Sequence, residues 1–97
     1  APLNVGLRRL EGFVVSPDGR RLVLQIAAAA RRKNRLETNL WSVDADGSGL
    51  RRLTRSGGRN TGPIFAPDGR SIYFLSGPRS GERQVMRRLG LRRGAGS

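Results

Sequence analysis

Apolar positions along this chain fall in short stretches of at most five residues, several of them cut by turn-forming residues. Phe13-Val14-Val15 runs into Ser16-Pro17-Asp18-Gly19-Arg20, and Leu22, Leu24 and Ile26 alternate after it. Alternation with a period of two is the mark of a strand with one face more deeply buried than the other. Pro presets φ for a turn, Asp can bond its own backbone, and Gly takes the positive φ that closes it, so the segment predicts a β-hairpin. The same text returns 50 residues later: Gly12-Phe13-Val14-Val15-Ser16-Pro17-Asp18-Gly19-Arg20 matches Gly62-Pro63-Ile64-Phe65-Ala66-Pro67-Asp68-Gly69-Arg70. In the second copy Ile64-Phe65 precedes the turn, and either Ile72 and Phe74 or Tyr73 and Leu75 form the buried side after it.

Two more strands are predicted in the first copy. Thr38 to Val43 is the third, the turn Asp44-Ala45-Asp46-Gly47-Ser48-Gly49 follows, and Leu50 to Thr54 is a short fourth strand. Its Arg51 and Arg52 suit an exposed edge, where charge discourages pairing with another chain. Ala27 to Glu37 is expected to be a strand fraying into a loop, because Ala prefers helix slightly and the middle is Arg-rich. In the second copy Ser76 to Gly81 has loop chemistry and Arg83 to Arg87 predicts the third strand. Beyond it the repeat text is lost at Arg88-Leu89-Gly90-Leu91-Arg92, and the basic end from residue 90 has no Asp-Gly turn.

A four-stranded unit recurring every 40–50 residues is a β-propeller blade. Ser16-Pro17-Asp18-Gly19 with Arg51-Arg52-Leu53-Thr54, and Ala66-Pro67-Asp68-Gly69 without such an ending, resemble the WD40-like repeats of acylaminoacyl-peptidase and prolyl-oligopeptidase-type serine peptidases. TolB-like and tricorn-type proteins carry similar repeats. Leu40-Trp41-Ser42-Val43-Asp44-Ala45-Asp46-Gly47 looks like a first blade of the acylaminoacyl-peptidase kind, and Ile72-Tyr73-Phe74-Leu75-Ser76 with Gln84-Val85 like a second. The resemblance implies an all-β fold of two antiparallel four-stranded blades, the second incomplete, as an open piece of a propeller. It divides the chain into an N-terminal strand or arm (1–10), blade 1 (11–55), an incomplete blade 2 (56–89) and a basic tail (90–97).

The chain of 97 residues has 19 Lys+Arg against 7 Asp+Glu, a formal charge of +12, and neither His nor Cys. Without imidazole there is no Ser-His-Asp or Cys-His nucleophile, and without His and Cys no structural zinc site or disulfide framework. The peptidase relatives would carry a Gly-x-Ser-x-Gly elbow, which is absent here, so no catalytic residue, cofactor or metal site is expected. Asp18 and Asp68 read as turn residues, not paired catalytic carboxylates, and Ser16 as a turn residue, not a nucleophile. Asp44 and Asp46 lack the rest of a calcium loop.

Of the basic residues, 18 are Arg and one is Lys33. So lopsided a ratio points to GC-rich coding. They are spread along the chain with no RRM, KH or helix-turn-helix pattern, so no specific nucleic acid is expected as partner, though non-specific binding through arginines is. No apolar run reaches about 18 residues, so no membrane helix is expected. No leader is visible at Ala1-Pro2-Leu3, which points to the cytoplasm, or to the periplasm if a leader was trimmed.

Two blades leave two outer faces uncovered, and repeat units need neighbours. The expectation is therefore a truncated, non-catalytic fragment that forms homo-oligomers, with the Leu3–Leu10 or C-terminal segment exchanged between copies. Trp41, Arg51, Arg52, Leu89 and Leu91 are the candidate interface residues, with strand core the competing reading of Trp41. A TolB-like adaptor with another protein partner is the alternative.

Overall fold

The computed structural model describes residues 8–30, 35–55, 58–78 and 83–91. Its strands are β1 (Arg9–Val15), β2 (Arg21–Ala30), β3 (Arg35–Asp44), β4 (Arg51–Arg52), β5 (Arg59–Phe65), β6 (Ser71–Gly77) and β7 (Val85–Gly90). They form one mixed seven-stranded sheet that does not close on itself, and no helix occurs among the described residues. β1 to β4 make one antiparallel meander and β5 to β7 a second. A single parallel bridge, Thr38 to Arg59, joins them.

Several sequence expectations are corrected. Within the stretch from Ala27 to Glu37, expected to fray into a loop, Ala27–Ala30 and Arg35–Glu37 are strand: β2 continues to Ala30 and β3 starts at Arg35, paired in register from Arg21↔Asp44 to Ala30↔Arg35. A cross-strand partner outweighs the weak helix preference of Ala. The fourth strand shrinks from Leu50–Thr54 to Arg51–Arg52. The third strand of the second copy lies at Val85–Gly90, so it runs through the point where the repeat text is lost.

Its geometry still repeats the first copy. Ala45 N donates to Arg20 O at 2.9 Å in the first meander, and Leu91 N to Arg70 O at 2.8 Å in the second. The backbone ladder does not depend on the side chains that diverged.

The two meanders pack face to face. Val23 and Leu40 from the first and Ile72 and Phe74 from the second form the buried core, with Val14, Leu53, Phe65, Leu89 and Leu91 packed at its margin. The first copy therefore buries Val23, Leu40 and Ala27, the side opposite to Leu22, Leu24 and Ile26. In the second copy Ile72 and Phe74 are the buried pair, and Tyr73 and Leu75 point to the other side. Phe13 lies on the bare outer side and is 57% exposed.

A polar cluster pins the junction beside the parallel bridge. Asn60, Asn39, Thr38 and Thr54 are all buried. The Asn39 amide lies 3.1 Å from the Asn60 amide nitrogen and 2.6 Å from the Thr54 hydroxyl. Asn60 Nδ2 donates to Thr38 O at 3.2 Å, Ser76 Oγ donates to Asn60 Oδ1 at 2.7 Å, and Leu40 N donates to Thr54 Oγ1 at 3.0 Å. Gln25 adds a link across the junction by accepting from Gly62 N at 2.9 Å. Partnered in this way, buried polar groups avoid the ~1–3 kcal/mol that an unsatisfied one costs.

Candidate functional site

Two regions hold the residues singled out from sequence: the paired Pro-Asp-Gly turns at one end, and the two outer faces of the sheet.

The first turn is built as its residue types require. Gly19 N donates to Ser16 O at 2.9 Å and Gly19 has φ of 75°. Ser16 Oγ donates to Asp18 Oδ1 at 2.6 Å, and Arg20 N donates to the same oxygen at 3.0 Å. The Ser16 hydroxyl, foremost, and the Arg20 amide next hold the Asp18 carboxyl below its ordinary value of 3.8. The second turn keeps the backbone frame without the hydroxyl: Gly69 N donates to Ala66 O at 2.8 Å, Arg70 N to Asp68 Oδ1 at 2.9 Å, and Gly69 has φ of 71°. Between these come Pro17 and Pro67, each at the first corner of its turn.

The two turns border one open groove of about 860 Å³, lined among others by Arg20, Arg21 and Arg70 and by Asp18, Asp44 and Asp68. Arg21 Nε sits 3.9 Å from Asp44 Oδ1. Ser16 has its hydroxyl committed to Asp18 while accepting from Arg21 N at 3.1 Å. Both contacts belong to the hydrogen-bond frame of the turn. No group of three or more His, Cys, Asp or Glu that could hold a metal occurs among the described residues.

Asp46 belongs to a separate turn. It accepts from the Ser48 hydroxyl at 2.6 Å and the Ser48 amide at 2.9 Å, and these hold its carboxyl below the ordinary value.

The candidate interface residues do not form one patch. Trp41 is half-buried on the outer face of the first meander, with the Arg8 guanidinium 5.9 Å from its ring centre. Arg51 is exposed, and Arg52 is half-buried with Nε donating to Thr54 O at 2.7 Å. Leu89 and Leu91 sit against the core on the other meander. Of the segments named for exchange, Arg9 and Leu10 belong to β1, paired with Ala27 and Ile26 of the same chain. Residues 3–7, the Arg31-Arg32-Lys33-Asn34 stretch and the tail from Arg92 lie outside the described residues.

Two uncovered outer faces were expected from sequence; what sequence reasoning missed is which residues form them. On the first meander, Leu10, Phe13 and Val15 are exposed beside half-buried Leu22, Leu24 and Trp41. On the second, Ile64, Leu75 and Met86 are exposed beside half-buried Tyr73. The signal was present: apolar residues occupy both alternating sets of strand positions, as in sheets covered on both sides.

An all-β sheet with this internal repeat has a propeller-type relationship, which comparison with known proteins supports. No family model matches the chain. It is 31% identical over 70 residues to dipeptidyl-peptidase 5 of Porphyromonas endodontalis, a match covering 72% of this chain and 10% of that protein. Over 49 residues, half of the chain, it is 51% identical to the Tol-Pal system protein TolB of Bordetella pertussis, covering 11% of that protein. An uncharacterised protein of Agrobacterium fabrum is 47% identical over 49 residues, with 16% of it covered. The chain thus spans about a tenth to a sixth of the length of these relatives.

Proposed function

We propose that this chain is a two-repeat segment of a β-propeller wall of the WD40-like kind, without catalysis of its own. In a peptidase of the acylaminoacyl or oligopeptidase type such a wall restricts which substrates reach a separate catalytic domain. The observation that carries the reading is the repeat itself: two Pro-Asp-Gly hairpins 50 residues apart, stacked face to face about one core. The partial match to a dipeptidyl-peptidase supports the peptidase lineage. The bare outer faces support association with further units of the same kind, including other copies of the chain.

Sequencing the surrounding locus tests this. The expected result is DNA downstream that encodes more Pro-Asp-Gly repeats and then a Gly-x-Ser-x-Gly segment, in frame or beyond a frameshift. A locus with no further propeller-coding DNA overturns it. Aminopeptidase and dipeptidyl-peptidase substrates should remain intact with the purified chain.

A TolB-like adaptor is the second reading, favoured by the 51% identity over half of the chain. It predicts a specific protein partner that is retained at high salt when captured from native lysate, whereas the wall segment predicts none beyond propeller repeats.

A further inference from the structure

The repeat makes each residue of the first meander comparable with one of the second. Arg21↔Asp44 in the first corresponds to Ser71↔Gly90 in the second, so Val14, Val23 and Leu40 correspond to Ile64, Tyr73 and Met86. Likewise Phe13, Val15, Leu22 and Leu24 correspond to Pro63, Phe65, Ile72 and Phe74. The internal core joins the first set of the first meander to the second set of the second meander. The contact is therefore head to tail, using two different faces.

Each bare outer face is the repeat equivalent of a face that the internal contact covers. Leu40 is fully buried, while its equivalent Met86 is 64% exposed. Ile72 and Phe74 are buried, while their equivalents Leu22 and Leu24 are only half-buried beside exposed Phe13 and Val15. The junction residues agree. Asn39 meets Asn60 inside the chain. The equivalent of Asn39 is Val85, and that of Asn60 is Leu10. Both are apolar and bare, 48% and 57% exposed. A polar pair at the inner junction is thus replaced by a matched apolar pair where two chains would meet.

We propose that the outer face of the second meander (Ile64, Tyr73, Met86) docks on the outer face of the first meander (Phe13, Leu22, Leu24) of a second copy. The contact repeats the internal one and continues it from chain to chain. This rests on the propeller reading. Propellers close with about 4–8 blades, so copies of these two meanders alone would close as a ring of about two to four. The net charge of +12 opposes assembly, so salt strengthens it.

The test uses the full chain with single Arg substitutions at exposed positions, Phe13→Arg and Ile64→Arg, in sedimentation equilibrium at low and high salt. The wild type is expected as a closed oligomer that tightens with salt, and each variant as a folded monomer by circular dichroism, its dissociation constant raised at least about tenfold. Mixing the two variants is expected to give a one-to-one dimer and nothing larger, since one variant keeps each intact face. A folded wild-type monomer, association that survives both substitutions, or failure of the variants to pair in the mixture overturns the proposal. Amide exchange at Leu40 and Ile72 separates the causes. Protection there with no assembly sinks only the chain-to-chain contact, whereas rapid exchange at both sinks the propeller reading beneath it.

Discussion

Leu40→Ala and Met86→Ala remove comparable hydrocarbon from repeat-equivalent positions in opposite surroundings. Leu40 is fully buried among Val23, Ile72 and Phe74, so truncation removes its transfer energy and leaves a cavity between the meanders. Substitutions of this kind cost about 2–5 kcal/mol. Met86 lies on an outer face, and an exposed substitution there stays within about 0.5 kcal/mol. For a domain of this size each kcal/mol moves the melting midpoint by about 4–8 °C, so Leu40→Ala should lower it by about 10 °C or more. That is a large share of the ~5–15 kcal/mol that holds an ordinary domain together. Urea and thermal unfolding would be followed by circular dichroism in the Phe13→Arg background, so that assembly does not mask the loss. Equal losses from the two substitutions would refute the one-sided burial on which the face comparison stands.

Other consequences are accessible to similar measurements. Asn60→Ala removes partners of Thr38 O, Ser76 and Asn39, and should cost about 1–3 kcal/mol in urea unfolding with amide protection lost first around Thr38 and Gly58. Gly69→Ala and Gly19→Ala each put a Cβ at positive φ, so each should destabilise by about 1–2 kcal/mol in urea unfolding. Asp18 is held below 3.8, so its contribution to stability is whole above that pH and is lost as the pH falls through its folded value. Ser16→Ala should raise that value in an NMR titration while leaving the turn intact, as Ala66 does naturally.

The hairpin turns were legible because their chemistry is local: Pro-Asp-Gly encodes its own dihedrals. The all-β class followed from the same spacing. Which face of each strand is buried was not legible, because a sheet flanked on both sides carries apolar residues on both. Leu22 and Val23 cannot be ranked until the second meander is seen lying on Val23. The Ala27–Ala30 extension was hidden by composition, since its pairing with Arg35–Thr38 is a tertiary fact. β7 was placed too early, at Arg83 to Arg87, because the repeat text is lost at Arg88, although charge on an edge strand is ordinary. Asn39 and Asn60 gave a usable hint: Asn is depleted in strands, and two of them inside apolar strands ask for a partner.

In the proposed stack the amide pair at the inner junction would also act as an address. Stacking the first meander on another first meander would set Asn39 against Leu10, and a second on a second would set Val85 against Asn60. Either mismatch places a side-chain amide against hydrocarbon at a closed contact, a penalty of about 1–3 kcal/mol that the intended neighbours avoid. Order along such a stack is thus written in the polarity of one position per meander, and the wrong sequence of units is rejected without any clash of shape.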